Sequence, residues 1–441
     1  MNRCRPSLLF LAFPFAVIAT PVQTQPDTPR LGAPLYSPSR SAAAPAEKPA
    51  SAGAEAYQQG IERLASNDLE GAQAAFRRAL QLQPGYADAM LGLAEVASRR
   101  NRQDEAARLI RDAVKAEPGN AHAQASLGRL QAVSKQYGDA ETSLKKAIEL
   151  DPRLIRPKMD LADLYATALR KPQEALALYK GVLAIDPSHA GASYASGIVL
   201  AGLGDLPAAQ QALETAHRLE PGNPLPMLAL ARVAAGRNDL DGATKWVEQA
   251  LAVQPRLVDA LELRGDLQQR RGEPDKALAD YAAALKAGPP RLAILLKQGS
   301  LQQQLGRNDA ATESYRAAIK LDPRAAIAYN NLAWMAAESG RNLEQAEGWA
   351  RKAVELGPNA PDFHDTLGWV QRARGNTKAA EKTLLQAASM KGAPADTFYH
   401  LGVVQAELGK PAEAAAAFEK ALALQKSHQP AAEALRKLRS R

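Results

Sequence analysis

The chain has 441 residues and a formal net charge of +8, with 23% charged and only 5% aromatic residues. That ordinary charged fraction excludes a wholly disordered chain, and the interspersion of Lys and Arg among Asp and Glu argues for solvated helix faces over a nucleic-acid footprint. The one cysteine, Cys4, lies in a segment expected to be removed, so the mature chain would have no disulfide, thiolate zinc site, iron–sulfur cluster or cysteine nucleophile.

The N-terminus reads as a targeting segment. Arg3 and Arg5 precede an apolar run, Leu8 to Ala19, that is too short for a comfortable membrane span but has secretory length. Cleavage is expected after Ala19, making residues 1–19 a signal peptide and the protein exported, to the periplasm or cell envelope. No cysteine follows the run, so a lipoprotein anchor is not expected. Residues 20–52 are rich in Pro, Ala and Ser and lack an apolar period, which predicts a disordered spacer.

From residue 53 onward the chain repeats itself. Prolines recur at Pro84, Pro118, Pro152, Pro187, Pro221, Pro255, Pro289, Pro323 and Pro358, at gaps of 34 or 35 residues. If that proline is position 32, position 20 is alanine in all eleven copies, from Ala72 to Ala414. Position 8 is always Gly or Ala, position 27 is Ala except for Val182, and position 24 is bulky and apolar except for Ala350. Each copy holds two apolar-periodic stretches of helical length separated by turn residues such as Gly204-Asp205 and Gly375-Asn376. Small residues at 8 and 20 are expected where helix A crosses helix B, with the larger residue at 24 filling space toward the next copy. The proline ends helix B. The copies are 53–86, 87–120, 121–154, 155–189, 190–223, 224–257, 258–291, 292–325, 326–360, 361–394 and 395–428. The extra residues of the fourth and ninth copies fall in the A–B turn. Residues 429–441 form an amphipathic stretch that reads as a capping helix.

The third copy carries Leu127-Gly128, Ala140, Ala147 and Pro152 at their expected places. On these residues the chain resembles the tetratricopeptide repeat family, from residue 53 to about 428. It departs from the family's aromatic position 4, and keeps the family tyrosine of position 11 only at Tyr165. The resemblance implies an all-α, right-handed superhelical solenoid of about eleven helix-turn-helix repeats with a C-terminal capping helix. It also implies a concave groove lined near positions 2, 5, 9 and 12, where protein partners place peptide segments or helices.

Two groups of residues stand out at those positions. Trp334 and Trp369 share position 9 in adjacent repeats, and Asn330, Asp365 and Tyr399 share position 5 beside them, with Arg372 at position 12. Paired aromatics flanked by hydrogen-bonding groups suit an extended peptide or a glycan; the alternative is local core. Toward the N-terminal half, Arg129, Arg156 and Arg232 make a basic group suited to carboxylates or an acidic polymer, the alternative being scattered surface charge. Tyr194 joins the groove list at position 5. The Lys/Asn carboxylate clamp of chaperone-binding relatives is not present.

Motifs for chemistry are missing. There is no phosphate loop, Gly202-Leu203-Gly204 is a hairpin turn, and Ser143-Leu144-Lys145-Lys146 lacks the companion motifs of S-x-x-K enzymes. Six histidines are scattered without H-E-x-x-H spacing. The expectation is therefore a non-enzymatic chain with no catalytic residue, metal or cofactor, and no nucleic-acid partner. Asn330-Asn331-Leu332-Ala333-Trp334 and Asp365-Thr366-Leu367-Gly368-Trp369 resemble repeats of exported bacterial proteins found with exopolysaccharide secretion and PEP-CTERM sorting. That resemblance implies a scaffold for a secretion or polymer-export complex, with peripheral envelope association as a further option. An assembly factor for pili or outer-membrane proteins, a glycan-binding protein, and a subunit of an enzyme whose catalytic chain is another protein are the alternatives.

Overall fold

A computed structural model describes residues 51–440, which form two compact units, 51–249 and 250–440. The expected signal peptide and nearly all of the spacer lie outside these residues. Among the described residues every regular element is a helix.

The first unit holds α1 (Ala52–Ala65), α2 (Leu69–Leu82), α3 (Ala87–Arg99), α4 (Gln103–Ala116), α5 (Ala121–Val133), α6 (Tyr137–Leu150), α7 (Ile155–Thr167), α8 (Pro172–Ile185), α9 (Ala190–Gly202), α10 (Leu206–Leu219) and α11 (Pro224–Gly236). Helix α12 (Leu240–Val253) contains the division between the units. The second unit continues with α13 (Val258–Arg270), α14 (Pro274–Ala287), α15 (Leu292–Gln304), α16 (Asn308–Leu321), α17 (Ala326–Ser339) and α18 (Leu343–Leu356). It ends with α19 (Pro361–Ala373), α20 (Thr377–Ser389), α21 (Ala395–Glu407), α22 (Pro411–Leu424) and α23 (Gln429–Arg439). Within each unit an odd helix packs on the even helix that follows, and the hairpins stack in chain order.

Turn chemistry sets the hairpins. The A–B turns pass through a left-handed residue, Asn67 in the first (φ 61°) and Gly204 in the fifth (φ 84°), conformations that Asn and Gly adopt most readily. The extra residue of the ninth copy is absorbed as expected: α17 runs to Ser339, and both Gly340 and Asn342 take positive φ. At the other end of helix B, the residue before the recurring proline is extended, as in Gln83 (φ −135°, ψ 87°), because proline disfavours helical backbone in its predecessor. Gln425 takes the same conformation (φ −138°, ψ 95°) although Lys426 replaces the proline. Packing therefore holds that turn without the ring.

The structure corrects the role assigned to position 24. Its side chain folds back over position 8 of its own hairpin. A methyl added at Gly128 would lie 2.7 Å from Leu144 Cγ, and one at Gly197 would lie 2.5 Å from Leu213 Cγ. Phe76 does both jobs, since a methyl added at Gly92 of the next hairpin would also lie 2.6 Å from its ring. The sequence pattern then makes sense as compensation. Gly at position 8 accompanies Phe, Leu or Tyr at 24, whereas Ala94, Ala231 and Ala333 accompany the smaller or β-branched Ile110, Val247 and Ala350. Only the Ala162–Tyr179 pair departs from this rule. The alanines of position 20, from Ala72 to Ala414, are at most 2% exposed, and Phe76, Leu144, Tyr281, Tyr315 and Phe418 are buried with them. Each such burial is worth about 1.5–3 kcal/mol.

Helix α23 packs on α21 and α22, burying Ala431 and Leu435. His428 caps it: Nδ1 accepts the Ala431 N–H (3.1 Å), so Nε2 carries the proton it shares with Asp396 (2.9 Å).

Candidate functional site

In the second unit α17, α19 and α21 lie side by side, as odd helices of successive hairpins. Because positions 5 and 9 are one helical turn apart, they stack on one face of each helix. Trp334 comes from α17, Asp365, Trp369 and Arg372 from α19, and Tyr399 and His400 from α21.

The two tryptophans do meet, as the spacing predicts. Their rings are nearly parallel, 17° apart in plane and 6.3 Å between centroids. Neither stands free. Trp334 is only 9% exposed, and Trp369 is half-buried. The imidazole of His400 lies 4.2 Å from the Trp369 ring centre and 5.5 Å from that of Trp334. The Arg372 guanidinium lies 4.4 Å from the Trp369 ring centre, and the indole N–H donates to Glu338 (2.9 Å). Arg372 in turn donates to Glu407 of α21 through Nε (2.9 Å) and Nη2.

Asp365 is completely buried, and its two oxygens accept from His400 Nδ1 at 3.0 and 2.9 Å. A carboxylate removed from water needs a compensating positive charge or several donors. Burial of the imidazole works against its protonation, but the charge and hydrogen bond of Asp365, with Asp396 and Glu338 behind them, outweigh it and hold His400 above its ordinary pKa. The imidazole also faces two indoles, which in its protonated form is a cation–π arrangement. The neighbours of His400 are rings and a carboxylate, contacts that brace α17, α19 and α21 against one another. Burial, reinforced by Asp365 and Asp396, raises the pKa of the half-buried Asp362.

The other predicted residues have different surroundings. Asn330 is buried; its Nδ2 donates to Asn331 (3.3 Å) while its Oδ1 has no partner. Tyr399 packs among His400, Phe418 and His428. Tyr194, on α9, packs against the core formed by Leu213, Leu230 and Val233. Arg129 and Arg156 come together, but around an acid: Asp160 accepts from Arg129 Nε and Nη2 (3.2 and 3.0 Å) and from Arg156 Nε (3.0 Å). Arg129 is buried in that pair, so the expected cluster of three open cations is not formed. Arg232 is half-buried on α11, apart from them.

Three of these contacts share one geometry. In the fourth, eighth and eleventh copies the side chain at position 6 reaches back to position 5 or 9 of the preceding odd helix. Asp160 meets Arg129, Lys297 meets Glu262 and Asp266 (both 2.7 Å), and His400 meets Asp365 and Trp369. Sequence reasoning missed Asp160, Lys297 and His400 because position 6 is not among the groove positions the family resemblance supplies. The signal was present as complementary residues 31 to 35 apart. Among the described residues no group of His, Cys, Asp and Glu is placed to hold a metal ion, and no helix is long and apolar enough to cross a membrane.

Family models described as tetratricopeptide repeat match residues 63–130, 166–216, 200–265, 296–361 and 395–428, together more than half of the chain. The chain belongs to the tetratricopeptide repeat family. Tetratricopeptide repeat proteins act as interaction scaffolds that bind peptides or other proteins in a groove. No curated protein sequence matches the chain. Among solved structures, it is similar to a chain of the APC/C hetero-tetramer Cut9–Hcn1 (14% identity, TM-score 0.46, covering 88% of this chain and 96% of that one). It is also similar to Pseudomonas aeruginosa PilF (22%, 0.44, 48% and 97%) and to the type IV pilus biogenesis factor PilW (22%, 0.42, 44% and 90%). In this tetratricopeptide repeat protein, aromatic and charged side chains from three hairpins converge on the α17–α19–α21 face.

Proposed function

We propose that the protein is a non-enzymatic scaffold of the bacterial envelope, exported by its N-terminal segment, that holds a segment of another protein against α17, α19 and α21 while a secretion or exopolysaccharide complex assembles. The observation that supports this most is the cluster of Trp334, Trp369 and His400, tied to Asp365, Arg372 and two glutamates. Aromatic and arginine side chains at a partly covered centre are what protein interfaces concentrate. A glycan reading is less favoured, because sugar stacking needs an open indole face and both rings already have neighbours on this surface.

Photo-crosslinking tests the proposal. A benzoylphenylalanine at exposed Ala406, beside Glu407, is expected to capture one envelope protein in living cells, a component of a secretion, pilus or polymer-export machine. Capture only from a matching probe on α5 or α7, with none from position 406, would move the binding face elsewhere. A pilus subunit or an outer-membrane protein as the captured species would favour the assembly-factor reading.

A further inference from the structure

The surroundings of Trp369 specify a charge. Positions 13 of the flanking odd helices are both glutamate, Glu338 on α17 and Glu407 on α21, while the middle helix carries Ala373 there. Both glutamates are exposed. Glu338 accepts the indole N–H, which leaves its negative charge in place, and Glu407 holds Arg372. The Trp369 side chain thus has one carboxylate on its indole N–H and, against its ring, a guanidinium held by a second carboxylate. The pair of Arg372 and Glu407 keeps 30% and 40% of its side-chain surface open, so it can exchange.

We infer that this place is a docking site for an arginine- or lysine-bearing segment of a partner protein, and that Arg372 occupies it as an internal stand-in until the partner's cation displaces it. The inference rests on the binding face proposed above and adds the chemistry of its occupant. An incoming guanidinium would lie on the Trp369 face that Arg372 now covers, and pair with Glu407 while Glu338 offers a second carboxylate. Charge-assisted pairing with carboxylates and stacking on an indole are both arginine's preferred modes. An acidic segment would meet two glutamates before reaching the one arginine. The chain as a whole is positive, so attraction of a cation at this spot is a local property rather than a consequence of net charge.

The sign of one substitution separates this from a generic surface. Binding of a blocked peptide of alternating glycine and arginine to the full-length chain is measured by calorimetry at low salt, against its glycine–glutamate counterpart. The arginine peptide is expected to bind and the glutamate peptide not. Arg372→Ala, by removing the internal competitor, is expected to raise affinity about two- to fivefold. Glu338→Gln with Glu407→Gln is expected to lower it about tenfold. All three positions are solvent-accessible, and Arg372→Gln repeats the test should the alanine variant unfold. Weaker binding to both Arg372 variants, or tighter binding of the glutamate peptide, would overturn the inference. If neither peptide binds but the crosslink from position 406 still forms, the cation is wrong and the binding face stands; if both fail, the face itself is wrong.

Discussion

Gly128→Ala tests the central packing rule, that a position-8 glycine makes room for the side chain at position 24. The new methyl would stand 2.7 Å from Leu144 Cγ, 3.0 Å from Cδ2 and 3.2 Å from the Ala140 carbonyl. Leu144 is fully buried and cannot swing into solvent. Overpacking of this kind costs about 1–3 kcal/mol, offset by about 0.5–1 kcal/mol because alanine is the better helix former, for a net loss centred on about 1 kcal/mol. Leu144→Val alone removes a buried methylene and costs about 1 kcal/mol. The pair together recreates the natural combination of Ala231 with Val247, so the double variant is expected to be less destabilised than the sum of the two by about 1 kcal/mol or more. Gly181→Ala, where nothing lies within 4 Å of the added methyl, is the control and is expected to stabilise by about 0.5–1 kcal/mol. Urea unfolding gives the free energies. Hydrogen exchange on α5 and α6 localises them, because a repeat array need not unfold as one unit. Simple additivity of Gly128→Ala and Leu144→Val, or stabilisation by Gly128→Ala, would refute the reasoning.

His400 has a pKa held above its unfolded value, so its contribution to stability is complete at pH below about 6.5 and is lost as pH rises through the folded pKa. Exchange protection of α19 and α21, corrected for intrinsic rates, should therefore fall with rising pH across that range, and His400→Phe should abolish the trend; protection that rises with pH contradicts it. Asp160→Ala strips Arg129 of the carboxylate that takes two of its N–H groups and should cost about 3 kcal/mol in urea unfolding, against under 1 kcal/mol for Arg156→Ala on the more exposed side of the same acid. Lys297→Met leaves Glu262 and Asp266 facing each other and should cost about 2 kcal/mol at pH 7. That loss should shrink in acid, because burial holds the Asp266 carboxyl above the usual range; a pH-independent loss would show that the charges are not what matters.

Repeat length, hairpin turns and small residues at the helix crossings were legible in the sequence, because they answer to local rules. A left-handed turn wants Gly or Asn, a residue before proline is extended, and a crossing admits only Gly or Ala. Each rule recurs every 34 residues, so weak preferences add up across eleven copies. The pairing of Trp334 with Trp369 was also legible, because equal positions in adjacent repeats stand side by side. What only the tertiary structure decided is how side chains are shared between hairpins. Position 24 serves the glycine of its own repeat, Arg129 is claimed by Asp160, and His400 turns back to Asp365 and lies against Trp369. These depend on the offset between neighbouring helices and on the direction in which a long side chain leaves its helix. Spacing along one chain reports which residues share a face, but not which of two nearby partners a flexible side chain will reach.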